Sequence, residues 1–455
     1  NRYIERIANI PQTTDGTGKD RLEMWKVAEK AIAERPMFGS GLSQYIQYFN
    51  KYYPNYMDAR NENDRYSNYS HNLWLDTAVA HGLVGAGLLL AIYLIFFGLG
   101  IYQINQENNF AKKYALAVIL IGLSGYLIQA FFNIEIIITW VYSYLFLGLA
   151  LAAASRLPDE QNIDNRPVEL WKQAGVTLTT AAVLGGVYYL SYAPLLSDRL
   201  YFQINSTNTT NEDKIELAKK AADLTPYFEY SYIRLGDLYT SAINLNKPDE
   251  AESIYNMVIE QVNKAMSINP LNYKNYMSLA TIYGSWAKID DSKMKDSDKY
   301  FTTAIPFSPN RLGLYWTWGN TYLSLGELKE AKEKYKQAES INADIGETYY
   351  YLAKISYLEG NVQEGSEYLK EATNKKYIFD TNQFYSDTAL LAYQLHKLDI
   401  AKQLAQIANK SKVTETTAMV EIQANIELDN TEAAMSLLEQ YDKSIPGLKN
   451  KFVKK

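Results

Sequence analysis

Cysteine is absent from the 455 residues, which rules out a disulfide framework, a thiolate metal site and a cysteine nucleophile. Histidine is scarce: His71, His81 and His396 are all there are, too few for a polyhistidine metal centre. No basic run stands out and the net charge is −6, so nothing points to a nucleic-acid partner. No cofactor and no metal is expected. Tyrosine, by contrast, is abundant at 39 residues. The mean hydropathy is mildly negative, but it averages a very apolar first part with a polar, repetitive second part. The chain begins with Asn1 and a polar segment and reaches its first apolar span near residue 83. The expectation is therefore a longer protein whose earlier part carries this segment across the membrane.

Four segments are apolar enough to span a hydrocarbon core of roughly 30 Å: Leu83–Ile104, Tyr114–Phe132, Ile136–Ala154 and about Ala174–Ala193. The second and third are joined by Asn133-Ile134-Glu135. The fourth is rich in Thr and Gly, which suits helix packing in lipid. Cations decide the orientation. Lys112 and Lys113 follow the first span, and Arg156, Arg166 and Lys172 follow the third, whereas the tight turn at Glu135 has none. The basic loops are thus expected in the cytoplasm, with residues 1–82 and 195–455 outside it. This predicts a multi-pass membrane protein with its loop and repeats in one extracytoplasmic space.

From about residue 211 the sequence reads as paired amphipathic helices of the TPR kind. The clearest unit is Tyr315–Ala343, with Trp318-Gly319, Tyr322, Ala331, Tyr335 and Ala338 at that spacing. Partial copies are Leu235-Gly236 with Tyr239, Ala251, Tyr255 and Ala265; Leu279-Ala280 with Tyr283, Phe301 and Ala304; and Leu352-Ala353 with Gly365, Leu369 and Ala372. The helices of 382–443 keep the alternation and lose the aromatic signature. One such unit cannot bury its apolar stripe, so stacking is required. The fold expected is all-α: a loop (1–82), four transmembrane helices (83–194) and an α-solenoid (195–455). Its tyrosines serve as core filler or line a groove for a partner, and His396 is expected to be structural.

The polar segment before the first span carries a series of short motifs: Arg21-x-x-x-Trp25, then Pro36-x-Phe38-Gly39-x-Gly41, then His71-Asn72, then His81-Gly82-Leu83-Val84-Gly85. Arg21–Ala33 can form an amphipathic helix ended by Arg35-Pro36, and the two glycines permit a tight turn. This order resembles the extracytoplasmic loop of the O-antigen ligase and O-antigen polymerase family of membrane glycosyltransferases. The likeness covers roughly residues 15–155, and TPR-like tails occur on some members.

The resemblance implies transfer of a glycan from an undecaprenyl-diphosphate carrier to an acceptor hydroxyl on a glycan, lipid or protein, without metal or nucleotide sugar. It implies His71 and Arg21 as catalytic residues. Arg21 would stabilise the departing diphosphate through its planar fork, and His71 would position or deprotonate the acceptor hydroxyl. Asn72, Trp25, Arg65 and Arg60 are the substrate-contact candidates, and the repeats would recruit the acceptor or an envelope partner. The plain alternatives are an Arg21 that contacts lipid phosphate, a His71 that makes local hydrogen bonds at a helix start, and a His81 that only packs. The family needs further spans upstream, so this segment alone is expected to be inactive. The rival reading is a non-catalytic, membrane-tethered TPR scaffold.

Overall fold

The computed structural model describes residues 17–52, 67–132, 148, 170–188, 192–204, 211–241 and 248–453. Arg60, Arg65, the Asn133–Glu135 turn and most of the third expected span lie outside the described residues. All regular secondary structure among the described residues is helical, as the all-α reading requires.

Helix α1 (Thr17–Glu34) buries Val27, Ala28 and Ala31 along one stripe and ends, as expected, against Pro36. The short α2 (Tyr45–Lys51) buries Tyr45, Tyr48 and Phe49. Both lie with α3 (Leu73–Gln106), which is followed by the antiparallel α4 (Phe110–Phe132). α3 and Phe110–Phe131 are long and apolar enough to cross a membrane. Where α3 meets α4, Gly100 lies so close to Leu120 that an added Cβ would be 2.9 Å from its methyls, the close approach small residues give lipid-embedded helices. The fourth expected span corresponds to α5 (Leu170–Val187), whose apolar stretch is the shorter Thr177–Gly186.

α3 is not one rod. Gly82 has φ 69° and ψ −176°, which interrupts the helix. Trp74 and Tyr93 lie 19 residues apart, which in a straight helix separates them by roughly 28 Å. Their ring centroids are 6.1 Å apart. The chain therefore folds back at Gly82, so that a short arm before it lies against a long arm after it. The long arm coincides with the first expected span, and the short arm is an element that the sequence reading merged with the loop.

The chain divides into two compact units, and the boundary falls inside α10 (Tyr273–Trp286). The first unit holds α1–α5 together with α6 (Ala193–Ile204), α7 (Asn211–Leu224), α8 (Glu229–Thr240) and α9 (Pro248–Ile268). In it Gln47 of α2 donates to Asn269 Oδ1 at 3.0 Å, and Ser308 Oγ donates to the Asn50 carbonyl at 3.1 Å.

The second unit continues with α11 (Met294–Ala304), then four helix pairs: α12 (Leu312–Ser324) with α13 (Leu328–Ile341), α14 (Gly346–Leu358) with α15 (Val362–Asn374), α16 (Thr381–Gln394) with α17 (Leu398–Ser411), and α18 (Glu415–Glu427) with α19 (Thr431–Asp442), ending at α20 (Leu448–Val453). The expected pair signature is visible as packing. A Cβ on Gly319 would sit 2.4 Å from the Tyr335 ring and one on Gly365 2.7 Å from Tyr357. Each glycine is thus the space its partner tyrosine occupies.

Each of the four pairs turns in the same way. Gly326, Gly360, His396 and Asp429 follow the first helix of their pairs with φ of 83°, 85°, 53° and 62°. The next residue in each case donates to the carbonyl five positions back, as in Glu327 to Tyr322 and Lys397 to Ala392. This is the Schellman closure of a helix end, repeated at intervals of 34, 36 and 33 residues, close to the TPR period of about 34. His396 is therefore structural as expected, but it occupies the turn after α16 rather than a helix.

Candidate functional site

The site is built on the bend of α3. A helix broken at Gly82 loses the bonds from Leu83 and Val84 N–H to the Val79 and Ala80 carbonyls. The Pro36–Gly41 turn replaces both. Ser40 N–H donates to Val79 O at 2.8 Å and Gly41 N–H to Ala80 O at 2.9 Å, while Leu83 N–H donates to Pro36 O at 2.7 Å and Val84 N–H to Met37 O at 3.3 Å. At the edge of an apolar span, such pairing is the condition for irregular backbone. The fit also explains the glycines. A Cβ on Gly39 would lie 2.5 Å from Gly82 N, and one on Gly82 would lie 2.1 Å from Met37 O. The glycine turn and the His-Gly-Leu-Val-Gly motif, separate in sequence, are one joint. Ser40 Oγ and Tyr48 OH, 2.6 Å apart, fasten α2 to this joint, and Tyr45 OH donates to the Met24 carbonyl of α1 at 2.8 Å.

The short arm begins at the His71-Asn72 pair. Asn72 is buried and caps the helix, with its Oδ1 accepting from Trp74 N–H at 2.9 Å and Leu75 N–H at 3.1 Å. Its oxygen is thereby committed to the loop. Asp76 Oδ1 accepts from Ser70 N–H at 2.6 Å and clamps the other side of the same turn. Between these two restraints His71 is held at φ 62°, a left-handed conformation that a non-glycine residue adopts only where its surroundings impose it. Its imidazole is half-buried, and burial first, then the Arg21 guanidinium, holds it below the ordinary histidine value. The charge of Arg21 thus reaches His71, although the two lie fifty residues apart in sequence. Trp25, one turn after Arg21, sets its ring edge-on to Phe131 of α4 at 5.7 Å. Its Nε1 is buried with no hydrogen-bond partner among the described residues. The contact also puts the far end of α4 on the same side as α1. The other two substrate-contact candidates, Arg60 and Arg65, fall outside the described residues.

A cavity of about 930 Å³ opens in the angle between the two arms. Gly41, Tyr45, Asn68 and Tyr69 line one side, Asp76, Thr77 and His81 the short arm, and Leu88, Leu89 and Ile92 the long arm. Its lining is mostly apolar, and Arg21, Trp25, His71 and Asn72 are not among the residues that line it. His81, expected to pack at the membrane edge, is exposed and lines this cavity. Burial, and after it the Asp76 carboxylate, raises the Tyr45 phenol above its ordinary value. Asp76 was not singled out by sequence. The helical spacing of Leu73, Thr77 and His81 shows that they share a face, but not that the face turns toward residues 85–92. Among the described residues no group of histidine, aspartate and glutamate is arranged to hold a metal ion.

Comparisons with known proteins follow this division. Residues 1–90 match the family described as O-Antigen ligase. A curated relative, the human Protein O-mannosyl-transferase TMTC3, is 27% identical over 176 residues, which make up 36% of this chain and 18% of the relative. The chain thus corresponds to less than a fifth of that relative's length. Among solved structures, a thermophilic TPR protein of Thermus thermophilus, TTC0263, is 16% identical and covers 44% of this chain and 97% of its own, with a TM-score of 0.32. PilW, a type IV pilus biogenesis factor, is 16% identical over 55% of this chain and 99% of its own, with a TM-score of 0.33. The chain therefore joins a segment that resembles the O-antigen ligases, over its first 90 residues, to an array of TPR-type helix pairs.

Proposed function

We propose that the protein is a membrane glycosyltransferase that moves a glycan from an undecaprenyl-diphosphate carrier to an acceptor hydroxyl, in surface-polysaccharide ligation or polymerisation. What supports it most is the match of residues 1–90 to the O-Antigen ligase family, together with the left-handed His71 turn, whose imidazole is held down by burial and then by the charge of Arg21. In this reading the acceptor oxygen attacks the anomeric carbon as the bond to the diphosphate breaks. The electron pair leaves with the diphosphate, Arg21 stabilises the added negative charge by donating hydrogen bonds, and the hydroxyl proton passes to His71. Burial, and after it the neighbouring guanidinium, favours the neutral imidazole, the form that can accept a proton. When a diphosphate binds Arg21, that positive charge is offset and His71 becomes more basic as the leaving group develops.

Trp25 offers its buried N–H one turn from Arg21, and Asn72 contributes by holding the loop. The repeats are proposed to recruit the acceptor or an envelope protein partner. The loop and repeats are placed outside a bacterial inner membrane, with Lys112 and Arg166 inside. In the full-length protein, His71→Ala and Arg21→Ala should each lower glycan transfer about a hundredfold or more, with membrane abundance unchanged. Arg21→Lys should also fail, because an ammonium loses the two-point fork. Vesicles bearing lipid-linked donor, assayed for its loss and for extended glycan, provide the measurement. Turnover like wild type in both alanine variants would move the assignment to a non-catalytic tethered scaffold.

A further inference from the structure

The first helix of the array, α6, has two opposite faces. Ala193, Ser197, Tyr201 and Ile204 are buried. Ser197 Oγ donates to the Ala221 carbonyl at 3.2 Å and Tyr201 OH to the Ser231 carbonyl at 3.1 Å, which pins this face to the repeat behind it. On the other face Leu195 is 67% and Phe202 81% exposed. At 100° per residue these two project within about 20° of each other. Exposed Asp198 and Arg199 flank them, one on either side. Tyr230 of α8, exposed as well, sets its ring against Tyr201 at 6.1 Å, and exposed Phe228 precedes it. A soluble repeat has no reason to place two large apolar side chains in one line on its outer face beside further aromatics.

The chain leading into α6 says what covers them. α5 presents almost all of its Thr177–Gly186 stretch outward, with Leu178, Val183 and Leu184 exposed. It is followed by Tyr188 and Tyr192, both exposed and stacked with centroids 4.9 Å apart. An apolar helix, then paired tyrosines, then a helix with one apolar face edged by charge is the order in which a chain leaves hydrocarbon through the headgroup layer.

We propose that α6 lies in the interfacial layer of the membrane, with Leu195 and Phe202 bedded among acyl-chain ends. Phe228 and Tyr230 extend the same contact onto the first repeat. Arg199 keeps its guanidinium at the level of lipid phosphate, and Asp198 stays in water at the rim. The base of the array thus rests on the bilayer rather than standing clear of it.

These 455 residues hold no cysteine, so a label placed in them is unique once any cysteine elsewhere in the full-length protein is replaced by serine. Leu195→Cys, Phe202→Cys, Tyr230→Cys and, as a reference, Lys220→Cys are each spin-labelled in the full-length protein. The protein is then reconstituted in vesicles of phosphatidylethanolamine and phosphatidylglycerol. Relaxation by oxygen, which partitions into lipid, is compared with relaxation by a water-soluble nickel chelate. Labels at 195, 202 and 230 should favour oxygen over nickel at least several-fold more than the label at exposed Lys220. Nickel access equal to that of the reference would overturn the proposal. So would poor access to both reagents at 195 and 202, because that result means protein covers the face.

Discussion

Replacing Gly82 with alanine tests the joint on which the site is built. The residue sits at φ 69° and ψ −176°, a region open essentially to glycine alone, so any side chain there costs about 1–3 kcal/mol. The new Cβ would also meet Met37 O at 2.1 Å and Phe38 N at 2.5 Å. These are backbone atoms, so relief requires the turn to leave. Undocking breaks the bonds that link residues 36–41 to residues 79–84. If α3 then straightens, it regains the two lost helical bonds, leaving a net deficit of two, about 2 kcal/mol at roughly 1 kcal/mol each. That deficit opposes undocking in wild type and variant alike, so the docking equilibrium shifts by the strain alone, about 1–3 kcal/mol or roughly fivefold to a hundredfold. Hydrogen exchange by mass spectrometry, on protein held in lipid discs, reads this at the amides of Ser40 and Gly41. They should exchange roughly fivefold to a hundredfold faster in Gly82→Ala. Gly87→Ala, whose Cβ meets nothing within 4 Å, should leave them unchanged. Equal protection of residues 40 and 41 in Gly82→Ala and wild type would refute the mutual bonding of turn and bend.

Two further expectations concern charge and chain reversal. Because His71 is held below its ordinary value, the acid limb of transfer activity should fall below pH 6.5, and the stability that this neutral imidazole contributes should be lost as pH drops below 6.5. Arg21→Gln should shift the residual activity's limb upward while burial keeps it under 6.5; a limb that stays put or moves down would contradict the pairing. At the repeat turns, His396→Gly and Asp429→Gly relieve left-handed backbone and should each stabilise the array by about 0.5–1 kcal/mol, seen as a higher melting temperature; a lower one would mean that the side chains make contacts worth more than the strain.

The repeats were readable because their chemistry is local: glycine or alanine on one helix and tyrosine on the next recur at a fixed interval, and Gly319 with Tyr335 packs as that pattern requires. The long apolar arm of α3 was readable from its leucine run, and the expected start at Leu83 matches the break at Gly82. The fold-back of residues 73–81 was not, since the bend depends on carbonyls and amides supplied by Pro36–Gly41, some forty residues away, and no spacing within 73–92 encodes that partner. For the same reason His81 looked like packing and Asp76 went unnoticed. His71 and Arg21 emerged from motif order, and after burial the charge of Arg21 bears on the imidazole. Asn72, by contrast, spends its oxygen on a helix cap, a role that an Asn before an apolar run equally foretells.

Helix α2 is gripped from two directions. Tyr48 holds it to Ser40 in the glycine turn, while Gln47 and the Asn50 carbonyl hold it to Asn269 and Ser308. The first repeats are consequently not on a leash. If the repeats recruit an acceptor as proposed, one carried by α8 and α9 would meet the bend of α3 at a set distance, as though against a ruler, and would be sorted by length before chemistry.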